Sequence, residues 1–181
     1  QFDKAFELWD KWNSPHKEYN INRRVNHFIR TNDISAAIKL LNYTIKKLPK
    51  STSSYYQLAK IYQNNNQLEK FDLIWSKINE LILNMNTPEQ EASFNRFGYQ
   101  LLADKNYQKA IHVFKEVTKA YPESVNAYDS LGEAYETTEE YDNAKQAYSK
   151  AIELAKKISA ERAAVYESNL ARVAKKQKSK G

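Results

Sequence analysis

Histidines and cysteines at ligand spacing, and glycine-rich turns, are the sequence features by which a catalytic or metal site is usually recognised. The three histidines, His16, His27 and His112, share no spacing typical of metal ligands. Thiol nucleophiles and cysteine metal sites are excluded because the sequence has no cysteine. Glycine occurs only at positions 98, 132 and 181, so neither a phosphate-binding loop nor a G-x-S-x-G turn can form. We therefore expect no catalytic residue, no cofactor and no metal, and predict that the protein is not an enzyme.

Two of the glycines, Gly98 and Gly132, stand inside segments with helical spacing of apolar residues. Glycine in a helix interior costs about 1 kcal/mol relative to alanine, so its recurrence indicates close approach of a partner helix. The interval that separates the two glycines also joins residues of similar size around them: Phe97 and Leu131, Leu101 and Tyr135, Tyr107 and Tyr141, Ala110 and Ala144, Phe114 and Tyr148. The pattern predicts a helical hairpin that repeats.

This order of large residue, glycine, alanine and aromatic, closed by Pro122, resembles the tetratricopeptide repeat (TPR), a helical hairpin of about 34 residues. The resemblance implies an all-α fold, a right-handed superhelical solenoid of antiparallel helix pairs with a C-terminal capping helix. Weaker matches upstream indicate two degenerate repeats, the second with a five-residue insertion. The expected parts are an N-terminal aromatic helix at 1–17, repeats at 18–51, 52–90, 91–124 and 125–158, and a capping helix with a basic tail at 159–181.

Capping signals place the individual helices. Thr87, followed by Pro88 and Gln90, is the strongest of these starts. Weaker starts are expected at Asp33, Ser51 or Thr52, Asn65 or Asn66, Ser124, Thr137 with Glu140, and Ser159. The predicted helices are 2–13, 18–31, 34–48, 53–64, 67–84, 88–103, 106–120, 125–137, 140–157 and 160–177.

The two ends of the chain each have apolar residues at helical spacing, but the residue types differ. Phe2, Phe6, Trp9 and Trp12 form an apolar stripe that must be covered. We expect it to dock on repeat 1, with a junction to an upstream domain or a homodimer as the alternatives. The last helix has a narrow apolar stripe and is interpreted as a cap, with six charged residues facing water: Glu161, Arg162, Glu167, Arg172, Lys175 and Lys176.

In TPR proteins the first helix of each repeat lines a concave groove, and the resemblance implies which residues do so here. One predicted row contains Asn22, Tyr56, Asn95 and Asp129; the next contains Asn26, Lys60, Tyr99 and Glu133; the flanking positions are Arg30, Gln63, Arg96 and Glu136. Polar rows with aromatic residues suit an extended peptide or a partner helix. The leading hypothesis is thus a non-catalytic scaffold for a protein or peptide partner. The alternative is that these side chains are only the solvated wall of the solenoid.

Some TPR domains hold the C-terminal carboxylate of chaperones with a clamp of Lys, Asn, Asn, Lys and Arg. The matching positions here are Asn22, Asn26, Gln57, Ala92 and Arg96. Only Asn26 and Arg96 conform, and both lysines are missing. A chaperone-tail carboxylate clamp is therefore not expected.

Nucleic acid and membrane are not the partners that the composition favours. The net charge of +6 is concentrated toward the ends of the chain, and the groove positions offer few basic residues beside aromatic ones. No transmembrane stretch or signal peptide is present. The chain begins with Gln1, which indicates processing or excision from a longer protein. A bacterial periplasmic or exported location is favoured over a cytoplasmic one.

A second resemblance covers residues 87–157. This segment, and above all residues 121–135 with the sequence YPESVNAYDSLGEAY, is similar to the TPR tail that follows the catalytic domain of secreted bacterial, notably Bacteroidetes-type, serine hydrolases and esterases. The catalytic serine motif is absent from the chain. The resemblance therefore implies an alternative function as the accessory region of a larger secreted hydrolase.

Overall fold

The protein is described by a computed structural model that covers residues 17–179, with side chains from residue 21 onward. All regular structure in this range is helical: α1 Lys17–Arg30, α2 Ile34–Lys47, α3 Thr52–Asn64, α4 Leu68–Leu83, α5 Pro88–Ala103, α6 Tyr107–Ala120, α7 Val125–Thr137, α8 Tyr141–Lys156 and α9 Ala160–Lys178. The predicted helices from residue 18 onward begin and end within one residue of these bounds, and the all-α repeat fold is confirmed. The predicted aromatic helix at 2–13 lies outside the described residues.

Side-chain caps explain where several helices begin. Thr87 accepts a hydrogen bond from the backbone N–H of Gln90, and the Gln90 side chain accepts one from the backbone N–H of Thr87, so α5 starts with a full capping box. Asp33, Ser51, Ser124 and Ser159 cap α2, α3, α7 and α9 in the same manner, each accepting from the backbone N–H three residues on. These predicted starts are confirmed.

Two predicted capping residues are wrong, although their helices begin within one residue of the predicted positions. Thr137 is the last residue of α7, and α8 begins after Glu140 without a side-chain cap. Asn65 follows the end of α3, and its side chain donates to the Ile61 carbonyl oxygen at 2.8 Å. Asparagine and threonine also satisfy the last carbonyl groups of a helix, which is why residue type alone misassigned them.

The turn inside each hairpin has one residue in the left-handed conformation. These residues are Asn32, Asn66, Lys105 and Glu139, with φ of 59°, 55°, 60° and 64°. One residue after each of them, a backbone N–H donates to the carbonyl oxygen five residues earlier, as from Asp33 to Phe28 and from Asn106 to Leu101. The same turn therefore recurs at one fixed interval, which is lengthened only between Asn66 and Lys105, where the insertion falls.

Contacts divide the chain into two compact units, Gln1–Ile78 and Asn79–Gly181. In the first unit α2 packs against both α1 and α3, and the core contains Ile21, Val25, Ala37, Leu40, Leu41, Leu58 and Ile61. In the second unit each helix from α5 to α9 packs against the next, and α5 also contacts α7. No helix within residues 17–179 has both the length and the apolar character that crossing a bilayer requires.

Candidate functional site

The predicted row residues can be compared between repeats by their distance from the left-handed turn residues. Asn22, Tyr56, Asn95 and Asp129 each lie ten residues before a turn residue, whereas Asn26, Lys60, Tyr99 and Glu133 each lie six residues before one. We call Asn22, Asn26, Tyr56 and Lys60 the first-unit face. Asn95, Tyr99, Asp129 and Glu133 form the second-unit face.

The flanking positions do not share one place in the repeat. Arg30 precedes its turn residue by two positions, Gln63 and Glu136 precede theirs by three, and Arg96 precedes its own by nine. Arg96 therefore corresponds in the repeat to Ser130, which is buried, rather than to Glu136. Arg30, Gln63 and Arg96 are all exposed.

Tyr99 and Glu133 join α5 to α7 in the second-unit face. The Tyr99 hydroxyl donates to Glu133 Oε2 at 2.7 Å, and the Ser130 hydroxyl lies 3.1 Å from the same phenol oxygen. The Tyr99 ring also packs edge-on against Phe114, with the ring centroids 5.3 Å apart. Burial, and the carboxylate of Glu133 beside it, raise the pKa of Tyr99. Tyr99 keeps 37% of its surface exposed, so a held and protonated phenol is presented to solvent.

The carboxylate form of Asp129 is disfavoured in the second-unit face. Burial, and next the negative charge of Glu133, raise the pKa of Asp129 to about 6. The Asn169 side chain of α9 donates to Asp129 Oδ1 at 3.0 Å and opposes this rise. A half-buried carboxylate beside a second one binds a proton or a cation more readily than an isolated surface aspartate does.

Asn95 has a buried side-chain oxygen without a hydrogen-bond donor. Its Oδ1 accepts no hydrogen bond from any residue that the structure describes. Such an unsatisfied acceptor costs about 1–3 kcal/mol. Asn95 occupies the same repeat position as Asn22, whose Oδ1 accepts from the Gln57 side chain at 2.7 Å.

Helix α9 lies along α7, with contacts from Val125 to Glu136. Its cations do not all face water, in contrast to the expectation from the sequence. Two nitrogens of the Arg172 guanidinium donate to the two Glu136 oxygens at 2.9 and 2.7 Å. Lys176 Nζ lies 2.8 Å from Glu136 Oε1, and the Tyr148 hydroxyl donates to Oε2 at 3.0 Å. The hydrogen bonds from Arg172 lead in lowering the pKa of Glu136 to about 2. Glu136 is therefore a structural anchor for α9.

The first-unit face has three polar side chains and one buried aromatic ring. Asn22 donates to Ser53 Oγ at 3.0 Å and links α1 to α3 through Ser53 and Gln57. Tyr56 is buried, with 9% of its surface exposed, so it presents little to a partner. Asn26 and Lys60 are exposed.

Residue type alone did not reveal Gln57, Ser130, Asn169 and Arg172 as parts of these surfaces. Gln57 appeared only as a nonconforming clamp position, and Arg172 was placed in water. Ser130 and Gln57 share a repeat position, nine residues before the turn, and both contact the neighbouring repeat. Counting from the turn residue is the signal that could have found this position.

An open hollow of about 560 Å³ lies apart from the predicted rows. It is bounded by the hairpin turns after α5 and α7, with Lys105 and Glu139 among its lining residues. Its other lining residues are Asn106, Tyr107, Gln108, Lys109, Thr137 and Thr138. None of the twelve residues proposed for the groove lines it.

Comparisons with known proteins agree with the repeat pattern in the second half of the chain. The family model described as Tetratricopeptide repeat matches residues 95–157. A search of the curated proteins gives no match. The more specific likeness to the repeat tail of bacterial serine hydrolases is not supported.

Two of the solved structures to which this chain is similar align over most of its length. A Podosopora anserina protein with nearly identical TPR-like repeats, described as a kinesin light chain, is 16% identical, with 91% of this chain and 88% of that chain covered and a TM-score of 0.50. MamA from Desulfovibrio magneticus RS-1 is 19% identical, with 89% of this chain and 95% of that chain covered and a TM-score of 0.40. Residues 95–157 thus match the tetratricopeptide repeat, within a chain whose described residues form an all-α repeat fold.

Proposed function

We propose that this protein is a non-catalytic scaffold that binds a protein or peptide segment through the surfaces of its first helices, α1, α3, α5 and α7. The tetratricopeptide repeat fold supports a protein partner in general. The observation that carries the proposal is the arrangement of Tyr99, Asp129 and Glu133, which come from two different helices and form one polar surface with a partly exposed aromatic ring.

The chemistry of the second-unit face suits an extended peptide. A peptide brings backbone N–H groups that need acceptors and side chains that need apolar or charged contacts. Glu133 is an acceptor held in place by Tyr99, and the partly exposed Tyr99 side chain is a rigid contact surface. The buried oxygen of Asn95 favours rotation of this amide toward a partner's N–H donor, because its present position leaves an acceptor unsatisfied by any described residue.

The proposal of a non-catalytic role rests on what these groups can do. Tyr99 has a raised pKa and keeps its proton, so it is a poor nucleophile at neutral pH. Glu136 is ionised and held by Arg172 and Lys176, which leaves it no capacity as a general acid. These groups therefore suit hydrogen bonding and charge contacts with a partner.

Selection from a random peptide library displayed on phage tests the proposal. We expect enrichment of peptides whose affinity, measured by fluorescence polarisation, falls about tenfold or more in the double variant Tyr99→Ala/Glu133→Ala, which is a loss of about 1.4 kcal/mol. The matched control is Gln108→Ala/Gln146→Ala, on exposed positions of the second helices α6 and α8. Circular dichroism should show the same helicity in both variants.

Two results would contradict the proposal. One is failure to enrich any peptide that binds the purified protein in solution. The other is unchanged affinity in the double variant with loss of binding in the control variant.

A further inference from the structure

The first unit carries an unbalanced positive charge on three successive helices. Residues 19–67 contain eight lysines and arginines and a single carboxylate residue, Asp33. All eight cationic side chains are exposed: Arg23, Arg24, Arg30, Lys39, Lys46, Lys47, Lys50 and Lys60. Asp33 can offset only one of these eight charges, and its Oδ1 accepts a hydrogen bond from the backbone N–H of Ala36 at 3.0 Å. The first unit therefore has a basic surface.

Helix α1 carries two arginines of this surface on one face. Arg23, Asn26 and Arg30 are exposed on the side of α1 that faces away from its buried residues Ile21 and Val25. We call these three residues the α1 strip. Arg23 and Arg30 are seven residues apart, which is two helical turns and about 10 Å along the axis. Among the residues that the structure describes, neither arginine has an ion-pair partner, although the second unit pairs its cations in contacts such as Arg172 with Glu136.

We propose that the α1 strip binds an acidic peptide in extended conformation. The proposal rests on the scaffold function above and names the class of partner for the first unit. In an extended peptide of polyproline II conformation, carboxylates three residues apart lie on the same side of the chain and are about 9 Å apart, which is close to the spacing of Arg23 and Arg30. Each guanidinium can hold a carboxylate with two parallel hydrogen bonds. The amide of Asn26, between them, can donate to and accept from the peptide backbone.

The aromatic residues of the first unit favour a peptide over nucleic acid. Binding of single strands uses exposed aromatic rings on which bases stack. Tyr56 is buried, and Tyr55 and Tyr62 are half-buried. The Lys70 ammonium group lies 5.5 Å from the centroid of the Tyr62 ring and occupies one side of it. The described helices of the first unit therefore offer charge and amide groups without a stacking surface built from these rings.

A labelled twelve-residue peptide with glutamate at every third position and serine elsewhere is the probe. Its affinity for the full chain is measured by fluorescence polarisation and compared with that of the peptide with glutamine in place of glutamate. We expect only the glutamate peptide to bind, with affinity that falls as salt is added. The double variant Arg23→Glu/Arg30→Glu should lose about tenfold or more, whereas Lys119→Glu/Lys175→Glu, which changes the charge equally on the second unit, should bind as the wild type does.

The outcomes separate this inference from the proposed function. Equal binding of the glutamate and glutamine peptides overturns the acidic partner. Unchanged binding by Arg23→Glu/Arg30→Glu, or equal loss in the second-unit control, overturns the α1 strip as its site. Tighter binding of a single-stranded oligonucleotide or of vesicles with anionic lipid overturns the choice of peptide as the partner class. In each case, peptides that need Tyr99 and Glu133 would still support the scaffold function.

Discussion

The aromatic ring of Phe114 lies directly against the backbone of Gly98. A Cβ atom added to Gly98 would be 2.5 Å from two carbons of this ring, and one added to Gly132 would be 2.6 Å from the ring of Tyr148. Phe114 and Tyr148 follow their glycines at the same interval in the chain, and both rings are fully buried. The glycines therefore admit an aromatic ring from the second helix of the same hairpin, while Ala110 and Ala144 are fully buried on those second helices.

Replacing Gly98 with alanine should destabilise the protein although alanine is the better helix former. The added methyl group would overlap the Phe114 ring, and overpacking of this kind costs about 1–3 kcal/mol. Urea denaturation gives the change in the free energy of unfolding. The double variant Gly98→Ala/Phe114→Leu should recover part of the loss, because leucine removes the ring. A stabilised Gly98→Ala variant would show that the ring can move aside freely.

Replacing Lys105 with glycine should stabilise the protein. It has φ of 60°, a conformation that costs a residue with a Cβ about 1–2 kcal/mol. We expect Lys105→Gly to raise the free energy of unfolding, and Lys119→Gly, in the last turn of α6, to lower it by up to about 1 kcal/mol. Urea denaturation of the two variants checks both signs. Equal destabilisation by both would mean that the Lys105 side chain makes contacts worth more than the backbone strain.

Asp129 should reduce the stability of the protein as the pH rises. Its pKa is raised from 3.8 to about 6 in the folded state, so the folded protein binds this proton more tightly than the unfolded chain does. The contribution of Asp129 is therefore most favourable below pH 3.8 and is lost as the pH rises through about 6. Asp129→Asn should stabilise the protein at neutral pH and have little effect at the acidic end, measured by urea denaturation at each pH. If the difference in the free energy of unfolding between Asp129→Asn and the wild type did not change with pH, the raised pKa of Asp129 would be contradicted.

Glu136 should act in the opposite direction. Arg172 and Lys176 lower its pKa from 4.5 to about 2, so its contribution is present above pH 4.5 and is lost as the pH falls toward 2. Glu136→Gln should lower the free energy of unfolding at neutral pH and weaken the hold on α9. Hydrogen exchange of the α9 amides measures the second effect. Unchanged protection of α9 at neutral pH would show that apolar contacts such as Ala163 and Val173 hold it without the ion pairs.

The helices were predictable because their signals are local. A capping box, a proline at the first helical position and apolar residues at intervals of three and four do not depend on distant contacts. The two wrong capping residues, Thr137 and Asn65 or Asn66, are of types that can satisfy either end of a helix. The turn residue Glu139 lies between such signals and has no glycine or asparagine to mark it.

The candidate site was predictable only as a set of positions. The repeat interval placed Tyr99 and Glu133 at equivalent places, and the structure joins them by a hydrogen bond. The interval could not indicate that Asn169 and Arg172 of α9 reach Asp129 and Glu136, because α9 has no glycine and alanine pattern to align. It also could not indicate that Tyr56 is buried, since burial depends on how neighbouring helices pack.

Side-chain amide signals measure the central claim most directly, because they report contacts at the proposed surface and away from it in one experiment. A peptide selected for binding would be titrated into isotope-labelled protein, and the NH₂ resonances of Asn95, Gln108 and Gln146 would be followed by NMR. The scaffold proposal predicts a large shift at Asn95, on the second-unit face, with little change at Gln108 and Gln146 on the second helices. Shifts at Gln108 and Gln146 with an unmoved Asn95 signal would contradict it.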